Sequence, residues 1–100
     1  MSELREIAQK VRSKNAGPFW MTIDIFCGSD AAFERIRDGL ADTVAAQVLD
    51  VPSQTLKRFD IPSLNVIKLS LPRREVQGTV QDRDMHGAAL AVLVGEIVIA

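Results

Sequence analysis

Cysteine and histidine are the scarce residues of this chain, with one of each, Cys27 and His86, among 100 residues. A single thiol excludes an internal disulfide and a cysteine cage for a metal ion, which suits a reducing cytoplasm. Its simplest role is that of a small buried apolar residue. A self-contained Cys/His nucleophilic pair would lack any third group to orient it. GxGxxG, Walker, HExxH, GxSxG and CxxC patterns are all absent, so no common cofactor or catalytic signature is present and the cofactor stays unknown. Long apolar runs are missing too. Residues 88–100 are the most apolar stretch, but they are interrupted by Gly95-Glu96 and fall short of the ~20 residues that cross a bilayer. Residues 1–15 mix charged and apolar side chains and lack the continuous apolar core of a secretory signal. A cytoplasmic chain with no membrane partner is the expectation.

Charge of one sign is lacking as well. Twelve Lys and Arg against 13 Asp and Glu leave a formal charge of -1, which gives the whole chain no field for nucleic acid or an anionic membrane. Local basic patches remain open. With 47% hydrophobic and 25% charged residues, the composition is that of an ordinary globular protein. Its length fits one domain over residues 1–100, able to bury about 60–70% of the surface its unfolded chain exposes.

What is present reads as alternating strands and amphipathic helices. Leu4, Ile7, Ala8 and Val11 fall at helical spacing after a capping Ser2, yet Ile7, Gln9 and Val11 also fit one face of a strand. Gly17-Pro18 then forces a turn. From Trp20 to Cys27 the side chains alternate, with Met21, Ile23, Ile25 and Cys27 on an apolar face and Trp20, Thr22, Asp24 and Phe26 on a mixed one. Gly28-Ser29-Asp30 ends that strand and caps a helix whose inner face is Phe33, Ile36 and Leu40. A second helix over residues 42–49 buries Val44, Ala45, Val48 and Leu49 and is stopped by Pro52. Residues 56–61 and 64–71 read as two strands joined by Pro62-Ser63, with Lys68 and Ser70 facing outward. A polar, turn-rich loop is expected over residues 73–87, followed by a short helical or extended approach and a closing strand over residues 92–99. The element order indicates an α+β sandwich with helices on one sheet face.

Two segments carry candidate chemistry. In residues 12–18, Arg12 offers a planar fork and Lys14 a point charge to a carboxylate or phosphate. Ser13, Asn15 and the backbone amides of Ala16 and Gly17 would complete an anion-binding nest in a loop fixed by Pro18, Phe19 and Trp20. Asp24, a carboxylate on a strand, must be exposed, paired or functional. In the later loop His86 lies beside Asp82 and Asp84, an arrangement for proton transfer or a weak metal site, although solvated surface residues are the simpler explanation; no metal set is assigned.

The string Arg12-Ser13-Lys14-Asn15-Ala16-Gly17-Pro18-Phe19, followed by Thr22-Ile23-Asp24-Ile25-Phe26, resembles the signature of a small uncharacterised domain family of about 100 residues. Its members are typically encoded beside acyclic terpene utilisation (AtuA-like) proteins. Asp82-Arg83-Asp84-Met85-His86-Gly87-Ala88 matches that family's later Asp-x-Asp-apolar-aromatic-Gly-Ala stretch, with His86 where an aromatic residue is usual. The pattern is similar, more distantly, to the ferredoxin-like domain of longer AtuA-like proteins, where a polar loop precedes a strand. The resemblance implies a ferredoxin-like sandwich, mostly antiparallel, and favours a strand over residues 4–11. It also implies a small subunit of an AtuA-like large protein, its loop completing a site for a carboxylate or acyl-thioester substrate, with lyase or hydratase chemistry. On that reading Arg12 and Lys14 neutralise charge, Ser13, Asn15 and Gly17 help to orient the ligand, and Asp24 or Asp84 positions a proton or a water; His86 is a catalytic candidate on its own chemistry and not through the resemblance. A non-catalytic module that self-associates through Trp20 and Phe26 is the alternative.

Overall fold

Alternation fixes the middle of the sheet. Met21, Ile23 and Ile25 are buried and interleave with Thr22 and Asp24 in a strand, β3 (Trp20–Phe26), that has neighbours on both sides. The computed structural model describes residues 2–17, 19–72 and 84–99, residues 84–89 by backbone alone. One flank of β3 is β2 (Lys10–Asn15) and the other is β5 (Val66–Pro72), which in turn pairs with β4 (Lys57–Ile61). Every pairing is antiparallel, so β3 and β4 run parallel to each other on either side of β5. They are joined by α2 (Asp30–Gly39) and α3 (Asp42–Leu49), which makes a split βαβ unit.

The helices form where the sequence supplies caps and stripes. Ser29 caps α2, its Oγ accepting from the Ala32 amide at 3.1 Å. Phe33 and Ile36 are buried on that helix, and Leu40 just beyond its end. In α3 the buried stripe is Ala45, Ala46 and Leu49, whereas Val44, expected inside, is 42% exposed. Ala46 takes its place because the helix is turned slightly from the predicted face. The helix ends at Asp50, whose left-handed backbone (φ 59°) lets its amide reach the Ala46 and Gln47 carbonyls two residues before Pro52.

The ends of the chain meet. β1 (Ser2–Glu3) pairs with β6 (Val98–Ile99), and the Leu4 amide donates to the Ile97 carbonyl at 2.7 Å. Between β1 and β2 lies a single helical turn, α1 (Leu4–Ile7), so the ambiguous N-terminal segment divides into a turn of helix and then a strand. Residues 84–95 form α4 (Asp84–Gly95), a correction to both the long polar loop and the closing strand over residues 92–99. The apolar residues 88–94 include good helix formers, and helix takes them as far as Gly95. Only Val98 and Ile99 are left for a strand.

The α+β expectation therefore holds, with two antiparallel sheets and four helices among the described residues. The edge strand departs from a ferredoxin-like order. A strand following α4 would occupy the place beside β3, but β2 holds it, because only four residues separate β2 from β3, with which it pairs along its whole length. All four helices, α4 through Leu90 and Val94, contribute to one core with the inner face of the sheet. Ile23, Ile25, Ile67 and Leu69 on that face are fully buried, each adding roughly 1.5–3 kcal/mol. Cys27 joins this core, and burial, with a contribution from the Asp60 charge, pushes its thiol up from the ordinary 9.0.

Candidate polar site on the open sheet face

Register, more than proximity in sequence, assembles the site. Directly paired residues of antiparallel strands share a face, so β2, β3, β5 and β4 present side chains in cross-strand rows on the face opposite the core. One row is Arg12, Asp24, Lys68 and Phe59; the next is Lys14, Thr22, Ser70 and Lys57. A third, Lys10, Phe26, Val66 and Ile61, closes one end, and Trp20 opposite Pro72 closes the other. Five cations and one carboxylate occupy this face, a local surplus of four positive charges in a chain whose net charge is -1.

Two polar atoms near the centre have no partner among the described residues. Thr22 is 8% exposed, and its Oγ1 is buried and unbonded; Asp24 is half-buried with Oδ1 in the same condition. A buried polar group without a hydrogen bond costs about 1–3 kcal/mol, more when charged. Here the two lie two residues apart on one strand, on the same face. Their neighbours on β2, Arg12 and Lys14, are exposed and close no ion pair among the described residues. Arg12, Ser13, Lys14, Asp24 and Phe26 line a cavity of about 220 Å³. The Lys10 ammonium lies 5.1 Å from the Phe26 ring centre, and Lys57 lies 5.5 Å from that of Trp20, each a cation–π contact worth about 0.5–1 kcal/mol.

A second, larger cavity of about 480 Å³ adjoins the first, between β2 and the C-terminal half of α4. Its walls include Arg5, Val11, Ala91 and Val92, and it shares Arg12 and Ser13 with the smaller one. β2 thus lies between a small polar chamber and a larger groove with an apolar side.

Sequence reasoning brought Arg12, Ser13, Lys14 and Asp24 to one place, and the structure does the same. Their setting is different. Arg12 to Asn15 are strand and not loop, because each pairs with a residue of β3. Cationic side chains on an edge strand, which protect it from pairing with other chains, are what gave the segment its loop-like composition. The nest does not form as expected, since the Ala16 amide donates to the Trp20 carbonyl at 2.9 Å. Asn15 and Gly17 are exposed and do not line the cavity; Gly17, at φ 85°, serves the turn. Asp84 and His86 begin α4, and their side chains, like all of Asp82, lie outside the described residues. Thr22, Lys68 and Ser70 were missed. Their outward alternation was legible, but the register that sets them beside Arg12 and Asp24 was not.

A family model for a domain of unknown function, DUF4387, matches residues 4–96. The chain belongs to that family. The matched stretch of the DUF4387 domain contains every strand of the four-stranded sheet, and so the whole polar face. Comparison with curated proteins and with solved structures gives no match. Among the described residues, no group of three or more His, Cys, Asp or Glu is placed to hold a metal, and no helix is long and apolar enough to cross a membrane.

Proposed function

We propose that this chain is a small subunit of an AtuA-like enzyme complex in the cytoplasm, and that its open sheet face forms one wall of a site for a carboxylate or acyl-thioester substrate. The observation that carries the reading is the pair of buried, unpartnered oxygens of Thr22 and Asp24 beside exposed Arg12 and Lys14, which close no ion pair among the described residues. Such cations on an otherwise near-neutral chain attract an anion, and a desolvated polar centre gives it something to bind. Arg12 and Lys14 neutralise the carboxylate, while Asp24 holds a proton or a water for lyase or hydratase chemistry completed by the large partner. The groove beyond Arg12 and Ser13 takes the rest of the substrate. The family resemblance in residues 12–19 supports the choice of partner.

A non-catalytic assembly module is the second reading. Trp20 and Phe26 stand six residues apart on β3, a separation of roughly 20 Å, and each carries a lysine ammonium on its ring, so they do not form one apolar contact patch. This favours the ligand site over self-association. The test is co-expression with the neighbouring AtuA-like protein, followed by thermal shift of the chain against small carboxylates. Co-elution, with stabilisation that disappears in Arg12→Ala and Lys14→Ala, is expected. Separate elution, or stabilisation equal in the variants, overturns the proposal.

A further inference from the structure

Taking the carboxylate site above as its premise, we infer that the ligand carries a hydroxyl group next to its carboxylate, and that Asp24 accepts a hydrogen bond from that hydroxyl. A simple anion would leave the centre of the site unexplained. Arg12, Lys14 and Lys68 are donors only, and they suit a carboxylate. The unsatisfied group between Arg12 and Lys68 is the opposite kind. Asp24 Oδ1 can only accept while ionised, it is buried and unpartnered, and a bare anion beside it would add repulsion and supply no donor. Thr22 Oγ1, 92% removed from solvent with its residue and equally unpartnered, can donate to the carboxylate or accept from the hydroxyl. A hydroxy-carboxylate satisfies the donors and the acceptors together.

Charge decides between the two common donors that stand beside a carboxylate. An amino acid would bring an ammonium onto a face that already has four positive charges in surplus, so a neutral hydroxyl fits better. Size narrows the class further. A chamber of about 220 Å³ is smaller than the ~300–1,000 Å³ of drug-sized sites, so it takes the hydroxy-acid end of a ligand, with any longer acyl part extending past Arg12 into the adjoining groove.

Matched ligands provide the test. Calorimetric titration of the purified chain with lactate and propionate, 2-hydroxybutyrate and butyrate, and alanine reads the hydroxyl directly. A hydroxy acid is expected to bind about tenfold or more tightly than its deoxy partner, the size of one hydrogen bond to a charged acceptor. In Asp24→Val, which keeps a strand-forming side chain and removes the acceptor, that ratio should fall to about twofold or less while the deoxy acid still binds. Equal binding of hydroxy and deoxy acids by the natural chain, or tighter binding of alanine, overturns the hydroxyl inference and leaves the carboxylate site intact. Failure of every carboxylate to bind overturns both. The natural-chain ratios decide the matter even if Asp24→Val does not fold.

Discussion

Arg12 and Arg58 sit on the two edge strands of the same sheet and have opposite surroundings. Arg58 is nearly enclosed, its side chain 12% exposed, and all three of its nitrogens are used. Nε donates to Asp60 at 2.9 Å, one terminal nitrogen to Asp42 and to the Leu40 carbonyl, and the other to the Arg37 carbonyl at 2.7 Å. Burial alone would lower its pKa, but the hydrogen bonds to Asp60 and Asp42 outweigh that and move it upward. It closes the C-terminal end of α2, where free carbonyls and the negative end of the helix dipole welcome a cation. Arg12 is exposed and makes no ion pair among the described residues. A guanidinium committed on every side is structural, whereas Arg12, with no ion pair among the described residues, is the one we propose for a ligand.

The contrast breaks most readily at Arg58. Arg58→Ala leaves the Leu40 and Arg37 carbonyls and two carboxylates without their donor and should cost about 2–3 kcal/mol, lowering the melting temperature by roughly 10 °C or more. Lysine should recover only part of the loss, because a point charge cannot reach three directions from one plane. A melting temperature unchanged in Arg58→Ala would show that the enclosed arginine is not structural. Thr22→Val should act in the other direction. It replaces a hydroxyl lacking a bond with a methyl of similar size on a strand, and should stabilise the free chain by about 1 kcal/mol while weakening carboxylate binding. Destabilisation there would mean that the hydroxyl has a partner in the free protein. Arg12→Ala should have the smallest effect on stability, within about 0.5 kcal/mol by denaturant melts, as expected of a surface substitution. A loss above about 1 kcal/mol would place Arg12 with Arg58 as a structural residue.

How much of this could be read from the chain follows from the physics of each element. The alternation of Met21, Ile23 and Ile25 and the cap at Ser29 are local signals, and both were legible. β2 was not, because an edge strand with one cationic face has the composition of a loop until its pairing with β3 is known. The extent of α4 was hidden by its evenly apolar sequence, which has no helical or strand period to choose between. For the site, Arg12, Lys14 and Asp24 stood out by residue type. Lys68, Ser70 and Thr22 became part of it only through the order β2-β3-β5-β4, a property of the fold that no window of sequence contains.

Amide chemical shifts of isotope-labelled protein titrated with lactate test most directly whether the open face is the binding face. Saturable shifts should concentrate at residues 12–14, 22–24 and 68–70, with Arg58 and the end of α2 unmoved. Shifts centred on Arg58 or confined to the groove beside α4, or none that saturate, would contradict the account.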